Sequence, residues 1–436
     1  MYLSGSLKIN NQGHLEIGNV DTVELAKKYG TPLWVIDEKG LRENCRRFKN
    51  ALPKNNFEVA YASKSLNNMA ILRIIDEEGL SLDVVSGGEL YTALKAGFPA
   101  ERIYFHGNNK GYDELQYAVE SGIYRIVVDN FFELDLLNKI CAQLGKVQEI
   151  LLRITPGVEA YTHEFIQTGQ IDSKFGFTLP DGQALAGVIA ALKLPNLNLT
   201  GIHCHIGSQI FALDSFKHAA ILMVDFLAKI KDEAGYGCSE LDIGGGFGIY
   251  YTDEDDLINP RELMELIMAT IKAKSLAHNI PMPKVIIEPG RAISGPAGIT
   301  LYTVGSSKEV KGIRKYVAVD GGMADNPRPA LYGAKYTALL ANKALEEKKE
   351  LVSIAGKCCE SGDMLIWDIK LPQIEAGDIL AIFATGAYNY SMSSNYNRIP
   401  RPAMILVNDG KVDIIVKRET YADLVRNDLI PARLEK

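Results

Sequence analysis

The 436-residue sequence predicts an α/β protein: a TIM-type (β/α)8 barrel, then an antiparallel β domain joined by the N-terminal strands. Three observations carry this reading. Between about residues 57 and 290, eight short β-branched runs alternate with longer amphipathic stretches, the rhythm of parallel βαβ units. Side chains able to do chemistry fall just after those runs, and a barrel gathers the C-terminal ends of its strands around one mouth. After residue 300 short strands follow one another with little helix between them. An open doubly wound sheet shares the alternation, and the placement at strand ends favours the barrel. The expected boundaries are 32–291 for the barrel, with 1–31 and 292–436 in the β-rich domain.

In chain order, Leu7–Ile9 and His14–Ile17 read as short strands ahead of the barrel's first helix. The barrel strands are expected at Phe57–Ala62, Leu80–Val85, Arg102–Phe105, Tyr124–Val128, Ile150–Ile154, Leu199–Cys204, Glu240–Ile243 and Lys284–Ile287. Helical periodicity marks Met69–Glu78, Glu89–Ala96, Asp113–Ser121, Glu133–Leu144, Asp214–Lys231 and Arg261–His278. The β domain draws on Leu301–Val304, Tyr316–Val319, Leu351–Ile354, Ile379–Phe383, Met404–Val407 and Val412–Val416, interrupted by a helix over Lys335–Lys349.

Composition narrows the function classes. Apolar residues at 47% and charged residues at 23% are globular values, so a large core forms without staples. A net charge of −7 with no basic stripe excludes a nucleic-acid binder. No apolar run approaches the roughly 18 residues that span a bilayer, and the start lacks a basic, then apolar, secretory pattern. The six cysteines show no CxxC spacing, which points to a reduced, cytoplasmic chain.

Lys64 ends the first run in Tyr61-Ala62-Ser63-Lys64. Such a lysine is ordinarily a solvated rim residue; half-buried, its amine becomes a nucleophile for an aldehyde. Gly244-Gly245-Gly246-Phe247-Gly248 follows the seventh run, where barrels build phosphate sites, although a flexible turn would look alike. Neither a dinucleotide fingerprint nor a P-loop is present. Glu288-Pro289-Gly290-Arg291 closes the eighth run: a turn, or a carboxylate for a protonated ring nitrogen beside a guanidinium fork for an anion. His203 and His205 could ligate a metal, but no third ligand lies nearby in sequence. No metal is expected, and His205 reads better as a ring stacked on a flat cofactor. Cys358-Cys359-Glu360-Ser361-Gly362-Asp363 is a weak signal alone.

These motifs, with Asp83–Leu90, His205–Gln209, Asp320–Met323, Arg328–Tyr332 and Gly386-Ala387-Tyr388, occur in family order from about Thr31 to Pro402. The chain so resembles the diaminopimelate decarboxylase family of fold-type III, alanine racemase-like pyridoxal-phosphate enzymes. The resemblance implies that Lys64 carries pyridoxal 5'-phosphate as a Schiff base and that Glu288 keeps the pyridine nitrogen protonated. It implies that His205 stacks on the ring, that Ser208, Gly245 and Gly246 hold the phosphate, and that Pro289, Gly290, Arg291 and Tyr388 complete the cofactor site. Arg291, Arg328, Tyr332, Glu360 and Tyr388 match substrate-binding positions, and Cys359 matches a proton donor supplied across a homodimer. His163–Phe177 resembles a mobile active-site loop. Gly356-Lys357 stands where many relatives carry Gly-Pro.

The implied reaction is decarboxylation of meso-2,6-diaminopimelate to L-lysine and CO2, the last step of lysine biosynthesis. Its second ammonium and carboxylate would need an anion (Glu360) and a fork (Arg291, Arg328). One alternative is a sister decarboxylase acting on ornithine, arginine or carboxynorspermidine, whose ornithine-type members tend to show Cys-Asp in place of Cys359-Glu360. A cofactor-carrying regulatory protein would keep the barrel alone. A racemase would place a catalytic Tyr opposite the lysine.

Overall fold

A computed structural model describes residues 3–52, 56–157 and 172–435. Most of the expected loop His163–Phe177 lies outside the described residues. The chain divides into two compact units: 42–249 with 256–293, and 1–41 with 250–255 and 294–436.

The first unit is the barrel. Its eight parallel strands are Phe57–Ala62, Ser81–Val84, Ile103–Phe105, Arg125–Val128, Gln148–Thr155, Leu197–His203, Glu240–Asp242 and Lys284–Ile287. The eighth closes on the first, with Val285 opposite Phe57 and Ile287 opposite Val59. All eight expected runs form strands, because β-branched residues buried on both faces leave helix no advantage. Ala60, Tyr104, Val127, Leu151 and Ile286, from five different strands, pack as one buried cluster.

Helix starts follow local capping. Asn68, Ser86, Asn130 and Asn259 each accept a backbone N–H from the first turn of the helix that follows. Gln183–Ala191 forms a barrel helix that none of the expected stretches covers; its run Ala-Leu-Ala-Gly-Val-Ile-Ala-Ala has little polar face to mark a period. At the N-terminal ends of the strands, charged groups satisfy one another: Arg125 donates to Glu240 at 2.9 and 3.0 Å, and Lys284 pairs with Glu58.

In the second unit the main sheet runs in the order Met364–Leu371, Glu350–Ala355, Arg314–Val319, Gly298–Val310, Leu33–Asp37, Ala403–Asn408 and Lys411–Val416. It is antiparallel except where Leu33–Asp37 meets Ala403–Asn408 and where Arg314–Val319 meets Glu350–Ala355. Leu33–Asp37, inside the boundary expected for the barrel, thus belongs to the β-rich unit. The N-terminal strands form a separate three-stranded sheet, Lys8–Ile9, Leu15–Ile17 and Val20–Asp21, whose Leu15 and Ile17 enter the same core as Leu33, Ile299 and Ile405.

The helix expected over Lys335–Lys349 is a correction. Ala338–Leu340 is instead a buried strand paired with Leu380–Ile382, and no helix forms at residues 341–349. Three apolar residues gain more by completing a sheet than the following Lys/Glu-rich stretch gains by helix propensity alone.

Candidate active site

The turn that carries Lys64 is held rigid by its neighbours. Ser65 Oγ donates to the Ala62 carbonyl at 2.9 Å, and Tyr61 Oη donates to the Leu66 carbonyl at 3.1 Å. Ser63 Oγ donates to Glu89 Oε2 at 3.0 Å, and that oxygen also accepts the Val85 N–H at 2.8 Å. Lys64 is half-buried, while Ser63 and Ser65 on either side are buried. Burial pushes the Glu89 carboxyl above its ordinary range.

Glu288 directly follows the eighth strand, with only 6% of its surface exposed. His203 Nε2 lies 3.2 Å from Oε2, and His106 Nε2 lies 2.7 Å from Oε1, an ion-pair distance without good hydrogen-bond alignment. Burial opposes charge on Glu288, yet the two imidazoles hold its carboxyl well below the usual range. Asp242 beside it is pushed the other way, first by burial and then by the Glu288 charge. Asp83 is likewise raised by burial, and the buried Arg153 is lowered.

His205 follows the sixth strand, and its Nδ1 accepts the Gly245 N–H at 3.2 Å. That contact leaves the ring proton on Nε2. Burial, with Lys64 and Arg153 nearby, pushes the imidazole well below its ordinary value, so the ring is neutral. The glycine run after the seventh strand leaves no room for side chains. A Cβ on Gly245 would lie 2.1 Å from the Glu288 carbonyl oxygen; on Gly246, where φ is +96°, it would lie 2.1 Å from that of Gly207. Arg291 Nη2 donates to Ser208 Oγ at 2.8 Å. Pro289 and Gly290 are buried between Glu288 and Arg291.

Within the barrel unit these residues converge on the C-terminal mouth, where a half-buried amine, an ionised buried carboxylate, a neutral flat ring and a glycine cradle can hold an aromatic aldehyde phosphate. A buried anion calls for a cation, which a protonated pyridine supplies.

In the β-rich unit, Arg328 is buried in the short helix Arg328–Tyr332 and donates to Tyr251 Oη at 2.9 Å and Tyr336 Oη at 2.7 Å. Tyr332 and Tyr388 are partly exposed, and Tyr388 takes φ +65°. Cys359 and Glu360 are exposed. Their loop is anchored by Asp363, which accepts N–H bonds from Met323 and Cys358 at 2.6 and 2.7 Å, while Cys359 N–H donates to Asn397.

Residues 38–295 match the model of the pyridoxal-dependent decarboxylase family's pyridoxal-binding domain. The chain is 54% identical to the diaminopimelate decarboxylase of Bacillus subtilis (strain 168) over 98% of both chains. The chain belongs to the diaminopimelate decarboxylase family. Among solved structures, it superposes on diaminopimelate decarboxylase from M. jannaschii in complex with L-lysine (TM-score 0.94, 37% identity, 100% of both chains). The Helicobacter pylori enzyme, also complexed with L-lysine, matches at TM-score 0.86 and 31% identity over 93% of this chain and 98% of that one. The cofactor of this pyridoxal-dependent family is pyridoxal phosphate.

Sequence reasoning put His106 after the third strand at the mouth but gave it no role, passed over Asp83 and Asp242 as site residues, weighed His203 only as a metal ligand, and missed Tyr251 and Tyr336 altogether. Asp83 and Asp242 each sit in the last two positions of a barrel strand, and a charge at such a strand end was the usable signal. Nothing local marks Tyr251 as a partner of Arg328, 77 residues away, whereas Tyr336 lies only eight residues beyond Arg328.

Proposed function

We propose that this protein decarboxylates meso-2,6-diaminopimelate to L-lysine and CO2 with pyridoxal phosphate as cofactor. The observation that carries the reading is Glu288, buried at the barrel mouth between His106 and His203, where Lys64 also lies. When bound, the cofactor supplies an electron sink for the charge left as CO2 departs. The chain's own residues do the rest. Lys64 is the amine that holds the cofactor, and Glu288 keeps the proton on its ring nitrogen. The neutral His205 ring would stack on the cofactor, Ser208 and the Gly245 and Gly246 backbone would hold its phosphate, and Pro289 and Gly290 would complete the cofactor site. Arg291, Arg328, Tyr332 and Tyr388 bind the substrate's carboxylates, Tyr388 also touching the cofactor, and Glu360 takes the distal ammonium. Cys359 returns a proton to the reacting carbon.

The active form is a homodimer in which Cys359 and Glu360 serve the partner's site. Their exposure on the single chain supports this, since a proton donor and a buried-ammonium partner both need a covered site. Six free cysteines favour the cytoplasm; among the described residues no helix is long and apolar enough to cross a membrane.

The test is lysine release measured with meso-diaminopimelate, against amine release from ornithine. Turnover of ornithine at an equal or higher kcat/KM would assign the chain to the sister decarboxylases.

A further inference from the structure

Glu288 is flanked by two imidazoles that the chemistry assigned above does not use. His106 follows the third barrel strand and His203 ends the sixth, so they reach the carboxylate from different sides of the mouth. Each addresses one oxygen: His203 Nε2 is hydrogen-bonded to Oε2 at 3.2 Å, and His106 Nε2 lies at ion-pair distance, 2.7 Å, from Oε1 without good hydrogen-bond alignment. The two rings meet edge to face with centroids 4.8 Å apart, and both residues are buried.

We propose that His106 and His203 are positioning residues that clamp the two oxygens of Glu288, fixing its plane and its charge for the ring nitrogen of pyridoxal phosphate. The inference rests on Glu288 being that nitrogen's partner. An ionised carboxylate only accepts hydrogen bonds, so His203 has to present an N–H from Nε2. Its Nδ1 is buried with no hydrogen-bond partner among the described residues, which suits the neutral ring carrying its single proton on Nε2. Burial lowers His203 to about 4, consistent with that neutral form. Without donors, a carboxylate this deep would take up a proton, and a protonated Glu288 could not keep one on the cofactor.

A divalent metal is the other chemistry two imidazoles and a carboxylate suggest. Tetrahedral zinc, with bonds of about 2.0–2.2 Å, spreads its ligand atoms to roughly 3.3–3.6 Å. Contacts of 2.7 and 3.2 Å are already closed to hydrogen-bonding distance.

Paired substitutions separate a clamp from simple packing. His→Phe keeps a ring and the edge-to-face contact but removes the N–H; His→Gln removes the ring but keeps an amide donor of similar reach. The readouts are the affinity of the apoprotein for pyridoxal phosphate, the visible absorbance band of the holoprotein, and the apoprotein melting temperature, with Glu288→Gln as reference. His203→Phe and His106→Phe should move the band toward that of Glu288→Gln and weaken cofactor binding roughly ten- to hundred-fold. The Gln variants should keep the wild-type band and bind within about threefold. Phe variants with wild-type band and affinity would overturn the proposal, as would Gln variants as impaired as Phe. If His106→Phe does not fold, the His203 pair decides by the same criteria. A Glu288→Gln protein with unchanged band and affinity would instead remove the underlying assignment of Glu288.

Discussion

Replacing Gly245 by Ala tests the glycine cradle with a single methyl group. Gly245 is buried, and a Cβ added there would meet the Glu288 carbonyl oxygen at 2.1 Å and its carbon at 2.9 Å. Both are backbone atoms just past the eighth strand and cannot swing aside. Relief to an ordinary contact needs a shift of about 1 Å between the Gly244–Gly246 loop and that strand. The shift also strains the Gly245 N–H bond to His205 Nδ1 and the Glu288 N–H bond to the Gly244 carbonyl. A misplacement of about 1 Å costs on the order of a hundredfold, and that factor corresponds to ~2.7 kcal/mol. The assay is fluorescence titration of the apoprotein with pyridoxal phosphate, alongside its thermal melt. Gly88→Ala is the internal control: it sits on an exposed helix turn, where the nearest atom to its Cβ is Ser86 Oγ at 3.7 Å. That change should leave cofactor affinity unaltered and add up to about 1 kcal/mol of stability. Gly245→Ala binding the cofactor within twofold of wild type, while equally folded, would falsify the cradle.

Lys64→Ala should abolish both activity and the visible absorbance of covalently held cofactor; borohydride-fixed cofactor mass on another lysine would contradict this. Mixing inactive Lys64→Ala and Cys359→Ala chains should restore part of the activity in heterodimers, and a dead mixture despite proven subunit exchange rules out the shared site. Glu360→Asp should lower kcat/KM for meso-diaminopimelate roughly ten- to hundred-fold, and Glu360→Ala further, without altering the free enzyme's spectrum; wild-type kinetics in Glu360→Ala would mark a solvated loop carboxylate. Asp325 is fully buried and raised to about 7, chiefly by burial and also by Asp363 and Asp320, although the Tyr302 hydroxyl and Gly322 N–H favour its charge. Because its folded pKa exceeds the unfolded one, the folded state binds the extra proton, so this group withdraws stability as pH rises from about 4 to about 7 and no more above that. Asp325→Asn should flatten the melting temperature across that window; an unchanged slope counts against it.

The sequence by itself was enough for the eight barrel strands, most of the barrel helices to within a residue or two at their starts, and the placement of Lys64, His205, Gly245, Gly246 and Glu288 at strand ends. Those are local properties: runs of β-branched residues, amphipathic periodicity between them, and the fact that a residue just past a parallel strand lies on the catalytic face. Tertiary structure alone decided what required contacts between distant segments. Ala338–Leu340 is a strand because Leu380–Ile382 offers it a buried edge, against the helical pattern around it. Leu33–Asp37 leaves the barrel because Gly298–Val310 and Ala403–Asn408 pair with it on both sides. His106 and His203 become partners of Glu288, and Tyr251 a partner of Arg328, only once segments far apart in sequence are folded together. Periodicity reports which face of an element is buried; which atoms meet across that face is set by pairings tens to hundreds of residues apart.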